Sequence, residues 1–263
     1  MSTAKLQPHC GYIAIIGRPN VGKSTLLNRI LGQKISITCR KPQTTRHQVL
    51  GVKTANAIQY IYVDTPGLHQ QQPKAINRYM NRAASSVVQD VDVVVMLIDS
   101  KWSEQDNWVL SQLKGINCPV ILVLNKIDRI KQKQALLPII ADCQQHYHFA
   151  HILPISAKYG DQVAQLEQLI GHYLPAHPFI FDEDQVTDRS MRFLASEIIR
   201  EKLMRLLGQE LPYAVTVEIE QFEETDKLFR ISASILVERK TQKAMIIGKQ
   251  GQKLKEIGQQ ARL

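Results

Sequence analysis

Apolar positions recur along this chain in two regimes. From residue 11 to 173, short hydrophobic runs alternate with amphipathic stretches, the pattern of a repeating strand–helix unit. The runs predict strands at 12–17, 48–52, 58–64, 91–99, 120–125 and 151–155. Those at 91–99 and 120–125 are almost continuously apolar, as central parallel strands covered on both faces must be. Amphipathic segments predict helices at 23–31, 75–88, 103–114, 131–146 and 161–173.

The pattern breaks after residue 173, where prolines and an acidic cluster mark a linker. A helix at 191–207, stopped by Gly208, opens the second regime. Two alternating runs at 214–221 and 228–237 come next, and the remainder is basic. The expected fold is α/β: a doubly wound, mostly parallel sheet over 1–175, a linker at 176–190, and a smaller α+β domain over 191–263.

Composition then narrows the partners. Across 263 residues, 33 Lys and Arg against 24 Asp and Glu give a net charge of +9. A positive field favours a polyanion, either nucleic acid or an anionic membrane face. No apolar stretch approaches the roughly 20 residues that span a bilayer, and the first ten residues lack a signal-peptide core. Cys10, Cys39, Cys118 and Cys143 show no CxxC spacing, and read as reduced thiols of a cytoplasmic protein.

The chemistry begins where the first strand ends. Gly17-Arg18-Pro19-Asn20-Val21-Gly22-Lys23-Ser24 matches G-x-x-x-x-G-K-[ST] between a strand and a helix. Glycines there let backbone N–H groups converge on phosphate oxygens, and the helix N-terminus adds a favourable dipole. Lys23 is placed to reach the β- and γ-phosphates, and the Ser24 hydroxyl to ligate Mg²⁺. Asp64-Thr65-Pro66-Gly67 closes the third strand. A carboxylate there suits the magnesium shell through water, and the Gly67 N–H suits a γ-phosphate sensor.

Two later motifs specify the base. Asp128, in Asn125-Lys126-Ile127-Asp128, can accept from guanine N1–H and the 2-amino group together. Adenine would leave that carboxylate unpaired. Asn125 and Lys126 support the loop and cover the base, and Ser156-Ala157-Lys158 can offer a backbone N–H to guanine O6. All these motifs end successive strands, where a doubly wound sheet places its ligand.

The second domain carries Gly248-Lys249-Gln250-Gly251, the GxxG loop of a KH domain, behind an apolar lead. Seven basic residues stand against Glu256 alone between Arg239 and Arg262. A helix and two strands ahead of the loop fit the type II arrangement. Lys253 joins the loop residues as a candidate RNA contact. The chain stops soon after the loop, so an incomplete KH domain is expected.

Taken together, the nucleotide motifs resemble the translation-factor-related GTPases. Residues 35–46, the helix expected after Gly67, and 187–190, 195–205 and 211–220 resemble the Era family in particular. The resemblance implies a GTP/GDP- and Mg²⁺-dependent GTPase whose contacts also include Thr25 and Leu68. It implies that 41–46 is the first switch, with Thr45 the magnesium threonine and Thr44 its rival. The catalytic set becomes Asn20, Lys23, Thr45 and Gly67. Leu68 stands where Ras-like proteins carry a water-orienting glutamine, and leucine can neither donate nor accept, so slow intrinsic hydrolysis is expected. In relatives lacking that glutamine, an asparagine at the position of Asn20 helps bind K⁺. The alternative is that Asn20 only tolerates the loop's backbone angles.

The resemblance further implies a monomer that binds small-subunit (16S) ribosomal RNA near its 3′ end and acts in small-subunit assembly. It also implies a cytoplasmic location with peripheral contact to the membrane. A second reading is an RNA-binding module whose nucleotide site is a sensor with negligible turnover.

Overall fold

The computed structural model describes residues 7–39, 41, 44–67, 88–208, 215–226 and 228–262. The helix expected at 75–88 lies almost wholly outside the described residues, and Leu68 lies outside them. The chain forms two compact units: Met1–Ser36 with Thr45–Asp188, and Ile37–Thr44 with Arg189–Leu263.

The first unit is built on a six-stranded sheet. Its strands are β1 (His9–Ile16), β2 (Val49–Ala55), β3 (Ile58–Asp64), β4 (Val93–Ile98), β5 (Val120–Leu124) and β6 (His151–Pro154), in the order β2-β3-β1-β4-β5-β6. All neighbours run parallel except β2 and β3. β4 and β5 are buried at every position, which is why both read as unbroken apolar runs. The second predicted strand runs to Ala55 because Asn56 and Ala57 both take positive φ, forming a two-residue hairpin turn.

Helices α1 (Lys23–Leu31), α2 (Glu104–Ser111), α3 (Leu136–His146) and α4 (Val163–Gly171) belong to this unit. α3 starts five residues later than expected, and Pro138 explains why. A proline has no N–H to give a preceding turn, so it is tolerated in the first turn only. Lys133–Ala135 forms a 3₁₀ turn instead. At α4 the delay comes from Gln162, whose φ of 61° is left-handed.

Residues 176–188, expected to form part of a linker, pack as part of this first unit. Ala176 bridges to His9 and Thr187 to Gly51. Gln59, fully buried, accepts from the amides of Ile180 and Phe181 and donates to the Phe181 carbonyl.

The second unit contains helix α5 (Met191–Leu206), the antiparallel hairpin β7 (Val215–Glu224) and β8 (Phe229–Val237), then α6 (Lys240–Ile247) and α7 (Gln252–Arg262). Ser190 caps α5 by accepting from the Phe193 amide. The helix ends at Leu206, and Leu207 is already extended, so the chain leaves helical geometry before Gly208. Leu203, Leu207, Val215, Val217, Ile246 and Ile257 make the core.

Candidate functional site

The residues 17–24 form the loop from β1 into α1, at the C-terminal edge of the parallel strands. β1 lies between β3 and β4, so the loop opens where successive connections diverge to opposite sides. Gly22 has φ 110°, and a Cβ there would stand 2.3 Å from Asn125 Nδ2. Any other side chain would clash with the loop that follows β5.

Lys23 is buried, with Nζ donating to the carbonyls of Gly17 at 3.0 Å and Arg18 at 3.2 Å. The ammonium has three protons, so it can still serve an anion. Burial pushes its pKa down to about 8, with nearby Asp64 opposing the shift. Asp64 is itself fully buried, and burial pushes its carboxyl up against the pull of Ser36, Lys23 and Ser24.

Three oxygen-bearing side chains converge there. Ser24 Oγ donates to Asp64 Oδ2 at 2.9 Å and stands 3.0 Å from Thr45 Oγ1. Asp64 Oδ1 is buried and has no hydrogen-bond partner among the described residues. Cis ligands of octahedral Mg²⁺ at 2.0–2.1 Å stand about 2.9 Å apart. The two hydroxyls have that separation, and the orphaned carboxylate oxygen is an acceptor for a metal-bound water. The donor set therefore fits Mg²⁺. Thr44 turns elsewhere: its hydroxyl donates to the Lys41 carbonyl at 2.7 Å.

Sequence reasoning missed Ser36 and Asn28. Buried Ser36 donates to Asp64 Oδ2 at 2.7 Å, and Asn28 holds it in place by accepting from the Ile35 and Ser36 amides at 3.1 and 3.0 Å. Nothing marks either residue in sequence, since both depend on the path after α1.

Thr65 donates to the Ile15 carbonyl at 2.8 Å, anchoring the turn after β3 to β1. Gly67 packs against Pro19, with space for a Cβ only 3.0 Å from Pro19 Cα. Thr25 follows Ser24 in the first turn of α1. Asn20 has φ 64°, and its carbonyl accepts from Lys126 Nζ at 2.7 Å. Arg18 Nε donates to buried Asp106 Oδ1 at 3.0 Å. Asp106 also accepts from the Ser103 amide and hydroxyl at the start of α2, so the Arg18 guanidinium is engaged there.

The base-side residues join the same loop. Asn125 Nδ2 donates to the Val21 carbonyl at 2.8 Å, and its Oδ1 accepts from the amides of Lys126 at 2.8 Å and Ala157 at 3.0 Å. Lys126 takes a left-handed φ of 67° and pairs with Asp99 at 2.7 Å. Ser156 donates to Asp128 Oδ1 at 2.7 Å, leaving the other carboxylate oxygen for a ligand. The Lys158 carbonyl accepts from Arg29, and its Nζ sits over the Tyr159 ring.

In the second unit, residues 248–251 separate α6 from α7. Gly248 has φ 70°, and a Cβ would meet Lys253 Cβ at 2.7 Å. Lys249 and Gln250 are exposed at the tip, and Gln250 takes φ 51°. This geometry presents backbone and a cation outward together.

Comparisons with known proteins agree with this arrangement. Residues 12–126 match the model of a family described as a 50S ribosome-binding GTPase, and residues 210–263 match the KH domain model. The chain is 59% identical over 255 residues to GTPase Era of Coxiella burnetii, covering 97% of this chain and 86% of that one. Its likeness to GTPase Era of Haemophilus influenzae is 57% over 256 residues, covering 97% and 85%. Among solved structures, an Era complex with MgGDPNP and nucleotides 1506–1542 of 16S ribosomal RNA is 40% identical with a TM-score of 0.92, covering 97% and 87%. An Aquifex aeolicus Era variant bound to GDP·AlF₄⁻ is also 40% identical, with a TM-score of 0.91 and the same coverage. Likeness of this depth spans the nucleotide motifs, the hairpin and the GxxG loop alike, and the chain belongs to the Era family of GTPases.

Proposed function

We propose that this GTPase is a switch that binds small-subunit ribosomal RNA through residues 248–253 and acts in small-subunit assembly. The observation that carries the reading is the convergence of Lys23, Ser24, Asp64 and Asn125 around one loop of the first unit, together with an exposed GxxG turn in the second. The GTPase family model's description speaks of the 50S ribosome, whereas the full-length structural neighbour is bound to 16S RNA. The likeness that covers both domains supports the small subunit.

Within the site, backbone from Gly17 to Thr25 holds the phosphates, with Lys23 adding charge. Ser24 and Thr45 hold Mg²⁺ directly and Asp64 holds it through water. When bound, Mg²⁺ neutralises charge developing between the β- and γ-phosphates. The segment Thr65, Pro66 and Gly67 faces the γ-phosphate, where the Gly67 amide donates, and Leu68, outside the described residues, is the next expected nucleotide contact. Asp128 reads guanine, while Asn125, Lys126, Ser156, Ala157 and Lys158 shape the base pocket. Asn20 is the residue for a K⁺ beside the phosphates. Gly248, Lys249, Gln250, Gly251 and Lys253 take the RNA backbone. The nucleotide domain takes in residues 176–188 and the RNA-binding domain follows from Arg189, and the protein acts as a cytoplasmic monomer whose +9 charge also suits an anionic membrane face.

The test is phosphate release from GTP and ATP, with and without an RNA carrying the 3′ end of the small-subunit RNA. GTP alone is hydrolysed, and the RNA is retained by the full chain. RNA binding that survives loss of the GxxG loop's charge overturns the assignment.

A further inference from the structure

One turn beyond Ser24, the same face of α1 presents Asn28. Asn28 closes on a single residue from both ends. Its Oδ1 accepts from the Ser36 amide at 3.0 Å, and its Nδ2 donates to the Ser36 carbonyl at 2.7 Å. Oδ1 also accepts from the Ile35 amide at 3.1 Å, and buried Ile35 places its Cδ1 close to Gly51 of β2. The backbone at Ser36 is thereby pinned to α1 and, through Ile35, to the sheet. Its side chain turns inward: Ser36 is 3% exposed, and Oγ donates to Asp64 Oδ2 at 2.7 Å.

Ser24 donates to that same oxygen at 2.9 Å. The two oxygens of Asp64 therefore differ. Oδ2 receives two hydroxyls, whereas Oδ1 is buried and has no partner among the described residues. The terminal torsion of an aspartate is broad and roughly two-fold, so the backbone alone does not choose which oxygen faces a ligand. Two donors on one oxygen make that choice and leave the other for a metal-bound water. The donors are not equivalent. Ser24 also gives its oxygen to Mg²⁺ on the reading above, so its geometry follows the metal. Ser36 has no place in that shell, and it holds the carboxylate whether or not the metal is present.

We infer that Ser36, held by Asn28, is a positioning residue for Mg²⁺: it orients Asp64 so that the free carboxylate oxygen takes the metal-bound water. This rests on the reading of Asp64 as a water-mediated magnesium contact. Groups that orient a metal's contacts change its affinity by about 10–100-fold when removed. Loss of the Ser36 hydroxyl therefore weakens the contribution of Mg²⁺ to nucleotide binding, while Lys23 and the phosphate-loop backbone bind as before.

The experiment uses the full chain with Ser36→Ala, Ser36→Thr, Asn28→Ala and Asp64→Asn, and Ser111→Ala on α2 as the control. The quantity read is the dissociation constant of a fluorescent, non-hydrolysable GTP analogue, measured in excess Mg²⁺ and again in EDTA. Ser36→Ala is expected to match the unaltered protein in EDTA and to lose about tenfold or more of the tightening that Mg²⁺ brings. Ser36→Thr keeps the hydroxyl and most of the tightening, and Ser111→Ala keeps all of it. A folded Ser36→Ala with full Mg²⁺ tightening overturns the proposal. So does an equal loss in Mg²⁺ and in EDTA, which would make Ser36 a structural residue only. Should Ser36→Ala fail to fold, Asn28→Ala leaves the hydroxyl in the chain but frees its backbone, and must show the same selective loss; full tightening there is equally fatal. Full tightening in Asp64→Asn removes the magnesium role of Asp64 and the proposal with it, whereas tightening lost in Asp64→Asn but kept in Ser36→Ala removes the role of Ser36 alone.

Discussion

Asn125 donates from Nδ2 to the Val21 carbonyl at 2.8 Å, which joins the loop after β5 to the phosphate loop after β1. The same side chain accepts from the Ala157 amide at 3.0 Å, so one buried amide ties together the loops that follow three strands. Asn125→Ala leaves a buried carbonyl and a buried amide without that partner. Each such group costs about 1–3 kcal/mol. Thermal unfolding and GTP affinity should therefore fall together, and an unchanged melting temperature would show that the loops are held by other contacts.

Asp128 is expected to set base choice. Asp128→Asn exchanges a carboxylate for an amide whose N–H complements the xanthine 2-carbonyl. Competition between GTP and xanthosine triphosphate should therefore shift towards the latter. Persistent preference for GTP removes the assignment of Asp128 to the base.

Lys23 gives a pH signature as well as a charge. Burial holds its free-state pKa near 8. A bound triphosphate favours the charged form and raises that value, so binding takes up a proton. Affinity is then flat below about pH 8 and falls as pH climbs towards the raised value. Calorimetry at pH 8 in buffers of different ionisation enthalpy should register proton uptake, and its absence would contradict the contact. Lys23→Ala should lose roughly ten- to 150-fold in affinity, the worth of a charge-assisted bond, while keeping its circular dichroism.

Lys249 and Gln250 stand exposed at the tip between α6 and α7. Changing both to Asp should weaken RNA binding and flatten its salt dependence, because fewer counterions are released. GTP binding should persist. Normal RNA affinity in this variant would move the RNA contact elsewhere.

Potassium dependence tests Asn20. Arg18 Nε is engaged by Asp106, so a cation added to Lys23 and Mg²⁺ at the γ-phosphate is assigned to K⁺ at Asn20 rather than to Arg18. Hydrolysis should be faster in KCl than in NaCl at equal concentration. Because Asn20 takes φ 64°, Asn20→Gly is the better probe than alanine: it keeps the backbone and removes the side chain. Loss of the difference in Asn20→Gly supports the ion site, and equal rates of the unaltered protein in the two salts sink it.

Much of the first unit could be read directly from the chain. Strand β3 and helix α1 have the bounds that periodicity predicts, Ile58–Asp64 and Lys23–Leu31. Both are set by local rules: continuous burial in one, and a glycine on each side in the other. Elements whose ends depend on one unusual backbone angle were less legible. The β2–β3 turn places Ala57 at φ 61°, and α4 waits for Gln162, although neither residue advertises a left-handed conformation.

The order of motifs by itself determined that Gly17–Lys23 chemistry, Asp64, Asn125, Asp128 and Ser156 meet at one sheet edge, because parallel strands deliver their C-terminal ends to the same side. Sequence could not choose between Thr44 and Thr45, since adjacent threonines differ only in which way the backbone turns them. Tertiary structure turned Thr45 towards Ser24 and bound the Thr44 carbonyl to Arg200, 156 residues away. The same holds for Ser36 on Asp64 and Asp106 on Arg18. A phosphate loop must be written in glycines because backbone has to approach its ligand closely. A partner for a carboxylate or an arginine can come from any residue the fold brings within 3 Å, and only the folded chain decides which.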